Sequence, residues 1–215
     1  MHASAIDIPR AAVFLDFDGT VSTVDVGRHL LARFASPRWR EPADRYTAGE
    51  IGSRECLIEQ WDLVAPDEPA MLAAAREVPL DPGFGRLLTA LGEAGAEVAV
   101  VSDGFGFYVD DACAPFGVHV LTNRVDFATG RLEFPHEDRC CPCSTCGVCK
   151  QAPIKDARHR GRTTVLVGDG VSDRKAALLA DVVLAKAELA AWCDTAGVEY
   201  ARFDTLAEVH EVLLG

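Results

Sequence analysis

Val13-Phe14-Leu15-Asp16-Phe17-Asp18-Gly19-Thr20 is a short apolar run that stops on two acids and a glycine. A continuous apolar stretch of this length suits a strand buried on both faces of a parallel sheet, with reactive groups just past its carboxyl end. The form recurs twice. Glu97-Val98-Ala99-Val100-Val101 ends at Ser102-Asp103-Gly104, and Thr164-Val165-Leu166-Val167 ends at Gly168-Asp169-Gly170-Val171-Ser172-Asp173. Helical periodicity follows, over about residues 105–113 and 173–180. Strands alternating with helices predict an α/β fold, a doubly wound parallel sheet that gathers ligands beyond the carboxyl ends of its strands. All three motifs would then meet at one edge.

Further strands are expected over residues 119–122, 182–185 and 198–202. Leu184-Ala185-Lys186 is expected to open a helix running to Ala196, with Gly197 as its stop. A last helix over 206–214 would take its cap from Asp204-Thr205. Residues from about 22 to 79 have another texture: Leu30, Leu31 and Phe34, then Leu57, Ile58, Trp61 and Leu63, follow helical spacing without strand-like runs. The expected organisation is a core of residues 1–21 and 81–215 interrupted by a small helical cap, 22–80.

With 215 residues, the chain can support one sizeable core plus a small accessory domain. A formal net charge of −12 opposes the counterion release that drives nucleic-acid binding and disfavours acidic membranes, so neither is an expected partner. Apolar runs such as residues 98–101 are far below the ~20 residues needed to span a bilayer. Residues 1–10 lack a basic stretch followed by a long apolar one, which leads us to expect a cytoplasmic protein. A small phosphorylated metabolite is the expected partner; oligomeric state is not legible.

Phosphoryl transfer needs an in-line nucleophile, a proton donor for the leaving alcohol, and positive charge around the transferred oxygens. Asp16 and Asp18 can divide the first two tasks. Asp16 would attack phosphorus, while Asp18 would protonate the leaving oxygen and later take a proton from water. Ser102 offers a neutral donor and Lys150 a point charge for the phosphoryl group. Asp16, Asp18, Asp169 and Asp173 are candidate metal-site residues, hard oxygen donors suited to Mg2+. Thr20 and Gly104 are candidate substrate contacts. Each fragment alone is a common turn; their joint order carries the argument.

In that order the motifs resemble those of the haloacid dehalogenase superfamily: Asp-x-Asp-Gly-Thr, a strand-end Ser, a Lys, and Gly-Asp-Gly-x-x-Asp. The resemblance covers nearly the whole chain and implies an aspartate-nucleophile, Mg2+-dependent phosphatase with a Rossmann-like core. A helical insertion after the first motif is similar to the cap of the phosphoserine phosphatase-like branch. Within it, Val101-Ser102-Asp103-Gly104-Phe105, Asn123, Phe134-Pro135-His136 and Cys146-Gly147-Val148-Cys149-Lys150 look most like the 2-hydroxy-3-keto-5-methylthiopentenyl-1-phosphate phosphatases. Phosphoethanolamine/phosphocholine phosphatases look similar around a Cys-Lys pair, and a phosphotransferase would use the same apparatus. The resemblance also selects Lys150 over Lys155. Phosphoserine is disfavoured because Gln60 stands where members acting on it carry an arginine, and Asp25 where they tend to carry Glu. Arg54 is the one alternative clamp. Asp25 is thus a candidate cap-side substrate contact, against the alternative of helix capping.

Five cysteines, Cys140, Cys141, Cys143, Cys146 and Cys149, fall within ten residues. Cys146 and Cys149 with Cys143 and Cys140 (or Cys141) offer a tetrahedral structural Zn2+ site, although the spacing is compressed. Reduced thiols and disulfides are the alternatives, the latter disfavoured in a reducing compartment. Either way the loop delivering Lys150 would be stiffened. Cys56, Cys113 and Cys193 read as small buried hydrophobes, and Trp39 and Trp61 as cap residues that either face substrate or, more commonly for such residues, pack the helices together.

Overall fold

The computed structural model describes residues 6–137 and 145–215. These form a seven-stranded sheet in the order β4-β3-β2-β1-β5-β6-β7. The strands are β1 (Ala11–Leu15), β2 (Glu97–Phe105), β3 (His119–Asp126), β4 (Arg131–Glu133), β5 (Thr163–Gly168), β6 (Val182–Ala185) and β7 (Ala201–Arg202). All neighbouring pairs are parallel except β3 and β4. Strand β1 lies at the centre, and every one of its residues is buried. Its side chains alternate between two cores, as the period of two requires. Ala11, Val13 and Leu15 join one cluster, while Ala12 and Phe14 join the other.

Helices cover both faces. On the first pack α5 (Phe84–Glu93), α6 (Gly106–Cys113) and α10 (Leu206–Leu214); on the second lie α7 (Gln151–His159), α8 (Arg174–Ala177) and α9 (Ala187–Ala196). Spacing of three and four residues explains the docking: Phe84, Leu87 and Leu91 of α5, and Leu206, Val209 and Leu213 of α10, present one buried stripe each. Thr205 caps α10 by accepting from the Glu208 amide, as read from the sequence. Gly197 ends α9 in the left-handed region, φ 69°. Cys113 and Cys193 are buried, one in each core.

Between β1 and α5 the chain forms α1 (Val26–Phe34), α2 (Arg40–Thr47), α3 (Ser53–Trp61) and α4 (Glu68–Ala75). Its two connections with the sheet run side by side, joined by an antiparallel bridge between Ser22 and Leu80. Two expectations need correction. Leu184 and Ala185 complete β6, so α9 opens only at Ala187; burial on both faces outweighs their helical propensity. Strand β7 is two residues long, shorter than the run 198–202 suggested. Helices α5 and α7 and the hairpin strand β4 were not anticipated.

Leu87 is fully buried where α5 meets the sheet. Leu87→Ala should cost about 3 kcal/mol of stability. A urea titration would show it as a lower midpoint at unchanged slope, and an unmoved midpoint would contradict the packing.

Candidate active site

Parallel registry brings the motifs together. Leu15 pairs with Val100 on one side and Val167 on the other, so the residues that follow each strand emerge at the same edge. Asp16 makes the last link, its amide donating to Val167 O at 2.9 Å. The chain then winds through a tight turn over Phe17–Val21 in which Gly19 has φ 81°. A side chain there would be both strained and in collision with the Asp169 carboxylate. On β2 the registry with β3 shifts between Val101 and Phe105, which bulges Ser102-Asp103-Gly104 out of the ladder. Side chains of β3 satisfy the freed carbonyls: Thr122 Oγ1 donates to Gly104 O and Asn123 Nδ2 to Asp103 O, both at 2.7 Å.

Lys150 occupies the centre. Its Nζ lies 2.7 Å from Asp16 Oδ1 and 2.8 Å from Asp173 Oδ1, and all three side chains are buried. Burial alone would pull the lysine pKa down, but Asp16, Asp173 and Asp103 outweigh it and hold the ammonium well above its ordinary value. Lys155 lies within α7, half-buried. Asp173 also accepts from the amides of Asp169 and Gly170, at 3.2 and 3.1 Å, which closes the turn after β5. Asp169 accepts from Thr20 Oγ1 at 2.9 Å. Thr20 is buried, and its hydroxyl thereby orients that carboxylate.

Asp16, Asp169 and Asp173 bring one carboxylate oxygen each to within 4.8 Å of one another. Three acids against one lysine leave a surplus of two negative charges in a buried site, which a divalent cation matches. The strain is visible in the acids. Burial and Asp173 push Asp16 well above the usual carboxyl range despite Lys150, and burial with Asp173 lifts Asp169 to about 6. Hard oxygen donors of this kind suit Mg2+.

Asp18 is not in that group, contrary to its inclusion among the metal-site candidates: both oxygens of its carboxylate are engaged elsewhere. Oδ1 accepts from the Val26 amide at 2.9 Å and the Gly27 amide at 3.4 Å, so the carboxylate sits on the N-terminus of α1. Oδ2 faces Tyr108 Oη at 3.1 Å and Ser102 Oγ at 3.4 Å. Burial and the charge of Asp25 raise its pKa to about 7, against the pull of these donors. Such a value suits a group that gives and takes a proton near neutrality. Ser102 Oγ in turn accepts from the Gly104 amide at 2.9 Å.

Helices α1 to α3 roof a cavity of about 710 Å³ above this cluster, within the ~300–1,000 Å³ typical of small-molecule sites. The segment between β1 and α5 lines it with the apolar Leu30, Trp39, Leu57, Trp61 and Met71, beside the charged Asp25, Arg28 and Asp44. Gln60 reaches this lining but donates to Trp39 O at 3.2 Å. Asp25 lines the cavity while capping α1, accepting from the Arg28 amide at 2.7 Å. Arg54 pairs with Glu137 and lies over the Phe134 ring, away from a role as substrate clamp.

The roof is tied to the catalytic edge by contacts that sequence reading missed. Ser53, at the start of α3, accepts from the Gly147 amide at 3.0 Å and hydrogen-bonds Asp103, whose carboxylate also accepts from the Val148 amide at 2.7 Å. Trp61 Nε1, at the other end of α3, donates to Gly130 O in the β3–β4 turn at 3.0 Å. Partners 45 to 94 residues apart leave no local pattern to read. Cys146 and Cys149 flank the Gly147-Val148 amides just before Lys150; Cys140, Cys141 and Cys143 lie outside the described residues.

Residues 13–178 match the family model of haloacid dehalogenase-like hydrolases, and the chain belongs to that family of enzymes. Among its curated relatives, a protein of an Exiguobacterium species is 29% identical over 94% of this chain and 97% of its own length; it is named 2-hydroxy-3-keto-5-methylthiopentenyl-1-phosphate phosphatase. A Brevibacillus brevis protein of the same name is 25% identical over 95% of each chain. A solved phospho-aspartyl intermediate analogue of phosphoserine phosphatase superposes with a TM-score of 0.74 at 21% identity, covering 95% of this chain and 98% of that one. A substrate-bound phosphoserine phosphatase complex gives 0.72 at 18%, with the same coverage. The likeness to the solved structures is one of fold.

The raised acids stabilise the fold when protonated. Their contribution is complete below the ordinary carboxyl range and is lost as pH rises through about 6 to 7, where Asp169 and Asp18 ionise. Mg2+ favours the ionised triad, so it should raise the melting temperature by several degrees at pH 7.5 and hardly at pH 5. Equal shifts at both pH values would show that the cation binds elsewhere.

Proposed function

We propose that this protein is a Mg2+-dependent phosphomonoesterase that works through an aspartyl-phosphate on Asp16, with 2-hydroxy-3-keto-5-methylthiopentenyl-1-phosphate as its substrate. The observation that carries the reading is the placement of Lys150 against Asp16, with Asp18 two residues on and separately held. In the first step an Asp16 oxygen bonds to phosphorus, the ester bond breaks, and the proton of Asp18 goes to the leaving oxygen. In the second, water attacks phosphorus, the Asp16–phosphorus bond breaks, and Asp18 takes the proton of the water. Lys150 and the Ser102 hydroxyl hold the phosphoryl oxygens. Asp16, Asp169 and Asp173 would hold the cation, which adds positive charge where the phosphoryl group is transferred.

The cavity wall supports the choice of substrate. It offers Trp39, Leu57, Trp61 and Met71 to the tail of the ester, and the resemblance puts the uncharged Gln60 where members acting on phosphoserine carry an arginine, a residue that clamps a carboxylate as an amide cannot. A neutral tail with apolar character fits better than the zwitterion of phosphoserine. We place the protein in the cytoplasm, where such metabolites are turned over; no helix of the described residues is long and apolar enough to cross a membrane.

Asp16→Asn should reduce turnover of a chromogenic aryl phosphate with Mg2+ by at least about 1,000-fold, the scale of losing a nucleophile. Retained activity would remove the covalent route. A panel holding the methylthiopentenyl ester, phosphoserine, phosphoethanolamine and phosphocholine should rank the first highest in kcat/KM, and a different leader would reassign the substrate. Stoichiometric release of inorganic phosphate excludes transfer to another alcohol.

We assign the cysteine segment to one structural Zn2+ held by Cys140, Cys143, Cys146 and Cys149, bracing the amides that meet Ser53 and Asp103 ahead of Lys150. Purified protein should carry one zinc per chain, and Cys146→Ser should lose it and melt earlier. Zinc-free wild-type protein of unchanged stability would refute the site.

A further inference from the structure

Asp18 has two oxygens and two separate anchors, and the second anchor is not explained by the assigned chemistry. Oδ1 rests on the amides of Val26 and Gly27. Oδ2 is met at 3.1 Å by the hydroxyl of Tyr108, a residue in the first turn of α6. Tyr108 is 3% exposed and packed between Phe17 and Phe107, at ring separations of 6.0 and 5.2 Å, so its hydroxyl cannot swing away to solvent. Burial and the Asp18 carboxylate raise its pKa well above the phenolic range, which keeps it a donor.

Backbone is cleared to allow this contact. A Cβ at Gly104 would overlap Tyr108 Oη and come within 2.8 Å of Asp18 Oδ2, so only glycine fits beside the phenol tip there. Ser102 Oγ also donates to Oδ2, at the longer distance of 3.4 Å, which leaves the Tyr108 hydroxyl as the nearer donor.

We propose that Tyr108 is a positioning residue for Asp18: its hydroxyl fixes the rotation of the carboxyl group so that the acid proton is aimed at the leaving oxygen of the substrate. This rests on the phosphatase reading and goes beyond it. Tyr108 takes no part in bond making. The phosphorus–oxygen ester bond breaks as the Asp16 bond forms, and the proton still comes from Asp18. Without the phenol the carboxyl group keeps its α1 anchor but turns about it, and reaches the proton-transfer geometry less often.

The test uses leaving groups of different need. An alkyl ester requires protonation of its leaving oxygen, whereas 2,4-dinitrophenyl phosphate releases 2,4-dinitrophenolate, an anion stable without a proton. Tyr108→Phe keeps the ring and its packing. For this variant kcat/KM, which reads the first step alone, should fall about 10-fold or more on the alkyl ester that wild type turns over fastest. It should stay within about twofold on the dinitrophenyl ester, where the acid contributes little. The ratio of the two values is independent of how much of the variant is folded, so loss of fold cannot mimic the result. Equal losses on both esters would make Tyr108 a packing residue, and no loss on either would make its hydroxyl idle; each outcome overturns the proposal. Wild-type protein inert towards both esters would instead overturn the phosphatase reading and the role of Tyr108 with it.

Discussion

One buried ammonium holds the catalytic edge together. Lys150 stands between Asp16 and Asp173 at hydrogen-bonding distance, in a place where two carboxylates could not otherwise share a dry corner of the sheet. Removing it would leave uncompensated acids at the ends of β1 and β5, the two central strands. The turn after β5 depends on the same contacts, because the Asp173 that pairs with Lys150 also receives the Asp169 and Gly170 amides. Through Thr20, Asp169 then holds the turn that follows Asp16. The site is a closed ring of charge and hydrogen bonds, and the fold supplies it with three strand ends in register.

The helical roof and the chemistry are coupled at the level of single hydrogen bonds. Helix α1 gives its first amides to the acid Asp18, and α3 contacts the Lys150 loop through Ser53 and the hairpin through Trp61. Aromatic rings connect the same elements: Trp61 packs on Phe105 and Phe127, Phe127 on Phe107, and Phe107 on Tyr108. The cavity roof and Asp18 are therefore joined by groups that touch both.

Much of this was legible beforehand, for a physical reason. Asp16, Ser102 and Asp169 are set by strand ends and tight turns, which short stretches of sequence encode; Lys150, just ahead of α7, was selected over Lys155 by the family resemblance alone. The Thr205 cap and the Gly197 stop are likewise local. What escaped depends on distant partners. Tyr108 reads as one more aromatic on a helix until it is seen to be 90 residues along the chain from the acid it touches. Ser53 and Asp103 look like a helix start and a turn. The strand over 182–185 was legible, but the helix after it was expected to open at Leu184 where it opens at Ala187, since helical propensity does not report where a strand ends.

The sheet tapers from a fully enclosed centre to margins of three residues in β4 and two in β7. At one rim Arg131 and Glu133 are exposed on either side of Leu132, and at the other Arg202 is exposed. Margins this brief and this charged offer a foreign strand few amides to zip onto. A long, parallel, apolar centre is slow to assemble and prone to mispair, so these blunt borders guard the chain against sticking to its own copies while it folds.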